Sequence, residues 1–429
     1  MKKSLLKLAI IGTVGVPAKY GGFETLAHFL VKNLHKRLDL TVYCSANNYS
    51  KEERKETWNG ANLHYIPLDA NGLQSIFYDI WSMLHAVRHS DVLLILGVSG
   101  CIFLPFLKIF TKKKVIVNID GLEWRRPKWN FLAKKFLLFS EQVACRFADE
   151  IVTDNRILKE YVKIRYDIEG NLIEYGADHT FKVNIEANDI KEYAFLAKDY
   201  AFKVARIEPE NNLHLILEGF SQVASQTLVI VGNWEYSEYG KSLRKEYEEF
   251  KNIILLDPIY DPNKLNLLRS NCKYYVHGHS AGGTNPSLVE AMYLNLPVVS
   301  FDVIYNRVTT NNKALFFNDL NDLKALITNI DKQALTAIAR DMKEYAMRMY
   351  TWETVSEKYG NLSEGIKPTE IPVIGKENVM TELAEQAIQA ASASAFDIIE
   401  TDVDVPAVLA DNKTIINEKK YVESLAQAN

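Results

Sequence analysis

The sequence predicts an α/β protein made of two doubly wound, Rossmann-like domains that face each other across a cleft. The first observation behind this prediction is an alternation of short apolar runs with amphipathic helical stretches, the pattern of parallel strands joined by crossover helices. The second is that the alternation begins near residue 7, pauses over residues 180–198 and then begins again. A chain of 429 residues is also too long for one ordinary core.

Residues 1–180 are predicted to form the first domain. Its strand candidates are short apolar runs at Lys7–Ile11, Leu40–Cys44, Asn62–Ile66, Val92–Leu96, Val115–Ile119 and Glu150–Thr153. Stretches with apolar residues at helical spacing lie between them, at Glu24–Arg37, Ser75–Arg88 and Leu132–Ala148.

Residues 181–345 repeat this pattern as a second domain. The predicted strands are Tyr200–Ala205, Thr227–Val231, Ile253–Leu256, Lys273–His277 and Pro297–Phe301. The predicted helices are Asn212–Val223, Lys241–Glu249, Leu265–Ser270, Ser287–Tyr293 and Asp319–Ile330, with two more over residues 331–365. In this kind of fold, ligands bind in the crevice at the carboxyl ends of the strands.

Residues 367–429 differ in composition from the rest of the chain. Pro368 and Pro372 interrupt any helix there, and residues 366–429 carry 5 basic and 11 acidic side chains, a net charge of -6. We expect an appended, acidic and partly disordered tail.

Charge and cysteine content narrow the classes of function. The net charge of -4 gives no sign of nucleic-acid binding, whereas residues 1–180 carry 25 basic and 19 acidic side chains, a net of +6 that suits an anionic surface or substrate. The four cysteines are far apart and have no metal-ligand spacing, which fits a reducing cytosol.

One apolar stretch, residues 91–110, has nearly the length of a membrane span. Gly97, Gly100, Pro105 and Lys108 interrupt it. We therefore predict a buried strand, a glycine turn and a short helix there.

Two glycine-rich loops have the character of anion sites. The first follows strand Lys7–Ile11 and ends in Gly21-Gly22, directly before a helix whose first turn holds Glu24. Backbone N–H groups at such a helix start attract an anion, although an ordinary strand–helix turn explains the first loop equally well.

The second loop follows strand Lys273–His277 and leads into a helix near Pro286, a residue suited to the first turn of a helix. Glu290 lies one turn inside this helix and is predicted to accept hydrogen bonds from sugar hydroxyls. The residues of this loop predicted to bind the ligand are His279, Gly282, Gly283, Thr284 and Asn285.

Arg206 ends the first strand of the second domain and therefore reaches the cleft. A guanidinium holds two phosphate oxygens at once. With two anion-type loops beside it, phosphate binding is the favoured role for Arg206.

Arg206, Glu290, the strand Pro297–Phe301 and the helix starting near Trp352 together resemble the retaining glycosyltransferases of family four, which have the GT-B fold. The resemblance covers residues 5–365, includes the string GGFE, and implies that residues 346–366 form a helix crossing back to the first domain. A subgroup of rhamnosyltransferases from capsule and cell-wall polysaccharide synthesis is similar in the strings VPAKYGGFET, DGLEWRRPKW, RIEPEN and HGHSAGGTNPSLVEAM.

This resemblance implies a donor, deoxythymidine-diphosphate L-rhamnose (dTDP-rhamnose), and a lipid-linked or polysaccharide acceptor. The chain departs from the family at two donor positions, because Asn211 stands where the family has a Lys and Gly282 where it has the first of two Glu residues. Contacts to the base are expected near Ile259 and Tyr260.

Asp120 and Glu123 follow strand Val115–Ile119 and are the candidates to receive the acceptor proton, while Asp120-Gly121 is also a common turn pair. If attack occurs on the face of the leaving group, the leaving oxygen takes the proton and no protein base is needed.

No metal is expected, because Arg206 and the amides near Gly22, Gly283 and Thr284 would stabilise the charge that develops on the diphosphate. The Asp-x-Asp pattern at Asp402–Asp404 lies in the acidic tail, away from any predicted core strand.

The segment after Asp120 mixes basic and aromatic residues, which suits an anionic membrane or a lipid-linked pyrophosphate, although a solvated helix face has the same composition. We expect a cytoplasmic enzyme that is peripheral on the inner face of the cell membrane. Two alternatives stay open: a transferase using a uridine- or guanosine-diphosphate hexose, and a catalytically inactive sugar-nucleotide-binding module. The acceptor or membrane contacts predicted here are Glu24, Trp124, Arg125, Arg126, Lys128 and Trp129.

Overall fold

The computed structural model describes residues 4–19, 21–126 and 129–368. Lys128 and residues 369–429, which include nearly all of the predicted tail, lie outside the described residues. Within the described part, two sheets with helices packed on them confirm the predicted α/β class.

The first sheet has eight strands in the order β3-β4-β2-β1-β5-β6-β7-β8. All neighbours are parallel except β3 and β4. The six predicted strands are present, whereas the two-residue strands β3 and β8 are too short to show any periodicity in the sequence. The strands are β1 (Lys7–Ile11), β2 (Asp39–Ser45), β3 (Thr57–Trp58), β4 (Ala61–Ile66), β5 (Val92–Leu96), β6 (Lys114–Asn118), β7 (Glu150–Thr153) and β8 (Asn171–Leu172).

Helices cover both faces of this sheet. The helices are α1 (Gly22–Leu34), α2 (Gln74–His89), α3 (Leu104–Phe110), α4 (Phe131–Phe147) and α5 (Arg156–Tyr166). The first packs its leucines against one face, with Leu8 and Ile10, and the other four bury residues against the opposite face, with Ala9 and Ile11. This split follows from the alternation of side chains along β1.

Residues 91–110 form β5, a turn and α3, as the interrupting glycines and proline predicted. Among the described residues, no helix combines the length and the apolar character needed to cross a bilayer.

The second sheet has six parallel strands in the order β11-β10-β9-β12-β13-β14. The strands are β9 (Ala201–Val204), β10 (Leu228–Val231), β11 (Ile253–Leu256), β12 (Tyr274–His277), β13 (Val298–Phe301) and β14 (Leu315–Phe317). The helices are α6 (Ala187–Glu192), α7 (Leu213–Ser221), α8 (Glu238–Tyr247), α9 (Pro262–Ser270), α10 (Pro286–Tyr293), α11 (Ile304–Thr309) and α12 (Leu320–Thr328).

Two further helices, α13 (Lys332–Met349) and α14 (Trp352–Ser363), complete the described chain. The last of them lies against α1 of the first domain. The Asn33 amide donates to the Trp352 carbonyl at 3.1 Å, the Phe29 ring stacks on the Trp352 indole at 4.5 Å, and Arg37 pairs with Glu364. The chain therefore ends its described part on the domain where it began.

The order of strands reverses once in each sheet. In the first sheet, β1 lies between β2 and β5, and in the second sheet β9 lies between β10 and β12. Loops that leave the carboxyl ends of these strands separate in opposite directions and open a crevice, which is the usual ligand site of a doubly wound sheet. Both glycine loops and Arg206 lie at these two positions.

Candidate functional site

The two domains approach each other closely at two glycines. A Cβ atom placed on Gly121, in the loop after β6, would lie 2.6 Å from the carbonyl oxygen of Gly282 in the loop after β12. Any side chain at residue 121 would push the two loops apart. The structure thus brings the predicted proton-acceptor segment directly against the predicted donor loop.

The first glycine loop is fastened to α1 by Glu24. The carboxylate accepts hydrogen bonds from the Val14 amide at 2.8 Å and from the Thr13 hydroxyl at 3.2 Å. Burial raises the pKa of Glu24, and these hydrogen bonds oppose the rise. Its observed contacts hold the loop in shape, and the helix start at Gly21 and Gly22 has no side-chain cap.

Asp120 lies just after β6 in a left-handed backbone conformation, with φ at 61°. The Asn118 side chain accepts a hydrogen bond from the Asp120 amide at 2.9 Å and so holds this conformation. Burial raises the pKa of Asp120 above its ordinary value, while Arg126 opposes the rise, and so does Arg206 from the second domain.

Glu123 is the second predicted proton acceptor. Its carboxylate is 2.7 Å from Arg126 and accepts a hydrogen bond from the Trp129 indole at 3.0 Å. Arg126 also approaches Asp120, at 3.9 Å. The two carboxylates therefore share one arginine.

Arg206 follows β9 on the opposite side of the cleft. Its side chain is 44% exposed, and its Nε lies 3.7 Å from Glu208. Because nearly half of the side chain is accessible and one loose ion pair holds it, the guanidinium is able to turn toward an anion.

Two carboxylates beside Arg206 were not predicted. Glu210 is 4% exposed, and neither of its carboxylate oxygens has a hydrogen-bond partner among the described residues. Burial and the neighbouring Glu208 raise the pKa of Glu210, with Arg126 opposing. The sequence signal was the string Glu208-Pro209-Glu210 directly after Arg206, which also matches a simple turn.

Asn211, at the position of the family's lysine, uses both ends of its amide within the protein. It donates to the Arg206 carbonyl at 2.9 Å, and its oxygen lies 3.2 Å from Nδ1 of His279. Burial, with Arg126 adding to it, lowers the pKa of His279 to about 3, so this ring is neutral. Both residues shape the loops around Arg206.

The second glycine loop is in contact with the first domain. Gly283 has φ at 101°, a conformation that favours glycine. The Thr284 amide donates to Asp154 at 3.1 Å, and the Thr284 hydroxyl donates to the Asp154 carbonyl at 2.6 Å. The amide that the sequence assigned to a phosphate is therefore taken by Asp154 in this arrangement of the domains.

The lack of a side chain at residue 282 has a steric reason. A Cβ atom there would lie 2.9 Å from the Tyr305 ring. A glutamate at this position would collide with the Tyr305 ring unless that ring moved. Asn285 caps α10, accepting from the Ser287 amide at 3.1 Å.

Glu290 is held by two partners, and neither was predicted. One carboxylate oxygen pairs with the buried Arg269, and the other lies 3.1 Å from Nε2 of His179. The Trp352 indole donates to Nδ1 of His179 at 2.9 Å. Burial alone would raise the pKa of Glu290, but Arg269 and His179 outweigh it and lower the pKa to about 2. Sugar hydroxyls would have to share this carboxylate with both partners.

The predicted base contacts lie in the loop after β11. Ile259 is partly buried against the core, and Tyr260 is exposed. Both stand at the carboxyl edge of the second sheet, on the side that faces the cleft.

Most side chains of the segment predicted to contact the acceptor or a membrane are buried or partly buried. Trp124 is 1% exposed and belongs to the core of the first domain, so it cannot contact a membrane. Arg126 and Trp129 are partly buried and contact Glu123, which leaves Arg125 as the exposed residue of this segment among those described. The mixed basic and aromatic composition of this segment could not show that the Trp124 side chain points into the core.

Among the described residues, no group of three His, Cys, Asp or Glu side chains is placed to hold a metal ion. Metal-independent chemistry stays a prediction.

Each half of the chain matches a known family model. Residues 184–349 match the family Glycosyl transferases group 1, and residues 5–178 match a Domain of unknown function (DUF1972). No curated protein matches the chain in sequence.

Solved structures share the fold at low sequence identity. Sucrose-phosphate synthase from Thermosynechococcus elongatus is 15% identical with a TM-score of 0.70, over 84% of this chain and 98% of that protein. HepE from Anabaena in complex with UDP-glucose is 14% identical with a TM-score of 0.63, over 84% and 100%. A trehalose-6-phosphate protein from E. coli bound with UDP-2-fluoro glucose is 10% identical with a TM-score of 0.63, over 85% and 100%. The chain has the GT-B fold, and residues 184–349 in its second half match the glycosyl transferases group 1 family.

Proposed function

We propose that this protein is a nucleotide-sugar-dependent glycosyltransferase that moves a deoxyhexose onto a glycan acceptor. The observation that carries the proposal is that the loop after β6 lies against the loop after β12 at Gly121 and Gly282, with Arg206 close enough to Asp120 to oppose the rise in its pKa. The match of residues 184–349 to a glycosyltransferase family supports it.

The transfer breaks the bond between the anomeric carbon and the diphosphate oxygen and forms a bond from that carbon to the acceptor hydroxyl oxygen. Arg206 stabilises the negative charge that grows on the leaving diphosphate, together with the N–H groups at the start of α1 near Gly22. The acceptor proton goes either to Asp120 or Glu123 or to the leaving phosphate oxygen.

The backbone N–H groups of Gly283 and Thr284 help to bind the diphosphate only if the nucleotide sugar displaces Asp154 from Thr284. The raised pKa of Asp154, which burial causes and Asp120 increases, makes its ionised form costly and this exchange easier. No metal is proposed for the reaction.

The proposed donor is dTDP-rhamnose, on the strength of the strings RIEPEN and HGHSAGGTNPSLVEAM. The second candidate is a uridine-diphosphate hexose, favoured by the complexes of HepE with UDP and glucose and with UDP-glucose. The proposed acceptor is a lipid-linked glycan, with the protein in the cytoplasm and peripheral on the inner face of the cell membrane.

A donor panel tests the proposal. Purified full-length protein is incubated with dTDP-rhamnose, UDP-glucose and GDP-mannose, with and without a lipid-linked acceptor and a chelator, and nucleoside diphosphate release is measured. We expect release from dTDP-rhamnose, stimulated by acceptor and unaffected by chelator. Turnover with the uridine donor alone would exclude rhamnose, and binding without turnover of any donor would indicate an inactive module.

Arg206→Ala tests the phosphate role. We expect a loss of transfer of at least roughly a hundredfold, because the leaving diphosphate loses its cation, with an unchanged thermal midpoint since the side chain is half exposed. Arg340→Ala, an exposed arginine on α13, serves as the matched control. A rate near that of the parent protein in Arg206→Ala would refute the assignment.

A further inference from the structure

We propose that the outer face of α2, α3 and α4 docks the protein on an anionic lipid bilayer. The inference rests on the proposed function in one respect, because a lipid-linked acceptor is presented at such a surface. It replaces the segment at Trp124 with a different set of residues.

An apolar row runs along α2. Leu73, Phe77, Trp81 and Leu84 are spaced by four, four and three residues, so they lie on one side of the helix. All four are exposed, with Leu73 at 84% and Trp81 at 51%. The opposite side of the same helix buries Tyr78 and Met83 in the core, so this helix is apolar on two sides.

Two neighbouring helices continue the row. Helix α3 exposes Phe106, Ile109 and Phe110. Helix α4 exposes Phe131, Leu132 and Phe139.

These three helices form one layer on one face of the first sheet. Their buried residues belong to the same core cluster, and α4 packs against α3 and against the 3₁₀ turn that precedes it. The row on α2 and the start of α4 both begin at the carboxyl edge of the sheet, where the cleft opens. A bilayer in contact with this face would bring a lipid-linked acceptor to the cleft.

The charges of the layer favour an anionic partner. The two acidic residues of the three helices, Asp79 and Glu141, are buried and point inward, where Asp79 accepts from the Gly100 amide and Glu141 from two tyrosine hydroxyls. The basic residues of these helices are Arg88, Lys108, Lys134, Lys135 and Arg146. Lys112 follows α3, while Asp91 and Asp149 follow α2 and α4, and Asp149 pairs with Lys108. Exposed aromatic and aliphatic side chains on helices whose own exposed charges are basic are the composition of a membrane-contacting surface.

A second copy of the chain is a poorer occupant. A two-fold interface places the same patch on both partners. The basic groups at the rim of this face would then lie opposite one another and repel. Negatively charged lipid headgroups attract these same groups.

Vesicle flotation tests the proposal. The full chain is mixed with vesicles of phosphatidylcholine and phosphatidylglycerol, or of phosphatidylcholine alone. We expect binding to the anionic vesicles that weakens with added salt. Phe77→Gln/Trp81→Gln and Ile109→Gln/Phe110→Gln should each reduce the partition coefficient about tenfold or more.

Tyr236→Gln/Phe250→Gln is the matched control, since it removes two exposed aromatic residues from the second domain. We expect it to bind vesicles as the parent protein does, and all variants to bind nucleoside diphosphate equally. Binding of the α2 and α3 variants at the parent level would overturn the proposal. So would a parent protein that ignores vesicles, or that forms a dimer which these variants dissociate. Vesicle binding through this face without sugar transfer would overturn the proposed function alone.

Discussion

At the scale of single residues, the cleft holds an unusual balance of charge. Arg126 and Arg206 face four carboxylates, those of Asp120, Glu123, Glu208 and Glu210. A diphosphate entering this site would be attracted by two cations and repelled by every ionised carboxylate. The raised pKa values of Asp120 and Glu210, each caused first by burial, reduce that repulsion.

Asp120→Asn separates binding from transfer. Removing this negative charge should strengthen the binding of nucleoside diphosphate by roughly three- to tenfold, while transfer falls about a hundredfold because the proton acceptor is lost. Calorimetry and the transfer assay measure the two effects, with Asp39→Asn at the opposite edge of the sheet as the control. Unchanged transfer in Asp120→Asn would exclude Asp120 as the proton acceptor and leave Glu123 or the leaving oxygen in that role.

At the scale of elements, the crossover helix α14 reaches the loop that holds Asp120 through the side chain of Asn118. The Asn118 amide donates to the Tyr359 hydroxyl at 2.8 Å, and the Asn118 oxygen accepts from the Asp120 amide at 2.9 Å. The hydroxyl is buried with Asn118, so no water replaces it easily. Through this chain of bonds, α14 orients Asp120.

Tyr359→Phe tests this coupling. We expect a loss of about 1–2 kcal/mol in the free energy of unfolding, since a buried amide loses its partner, and a several-fold drop in transfer. In a double-mutant cycle the effects of Tyr359→Phe and Asp120→Asn on transfer should not add. Tyr274→Phe is the control, because its hydroxyl has a longer contact of 3.4 Å to Gln226. Additive effects would show that α14 stabilises the fold without orienting Asp120.

At the scale of the whole molecule, contacts between the domains set the width of the cleft. Gly121 meets the backbone of Gly282, Asp154 binds Thr284, and His179 binds Glu290. Domain closure excludes water and aligns reacting groups in enzymes of this kind.

Gly121→Ala and Gly282→Ala form a matched pair. The new methyl group at residue 121 would meet a backbone carbonyl at 2.6 Å, whereas at residue 282 it would meet the Tyr305 ring, a side chain able to shift. We expect Gly121→Ala to reduce transfer about tenfold or more and to increase the radius of gyration, with a smaller effect of Gly282→Ala. Small-angle scattering and the transfer assay measure both, and equal effects would contradict the closure argument.

Much of the site could be predicted from the sequence because loop position follows from strand order. Arg206, Asp120 and both glycine loops each follow a predicted parallel strand, and the carboxyl ends of such strands meet at one edge. Glu210, Asp154 and His179 gave no such signal. Asp154 and His179 matter because they contact residues 130 and 111 positions away in the chain. Glu210 matters because it is buried beside Arg206.

The periodicity of apolar residues was sufficient to determine two α/β halves and the strands that border the cleft, because burial on a sheet or helix repeats at fixed spacing. The tertiary structure alone decided which side chains face inward. It placed Trp124 in the core and left Phe77 and Trp81 exposed on α2. It also showed that the Thr284 amide donates a hydrogen bond to Asp154 and that the Glu290 carboxylate binds Arg269 and His179. The physical reason is that these hydrogen-bond partners are set by proximity in three dimensions. The local spacing of residues along the chain does not show that proximity.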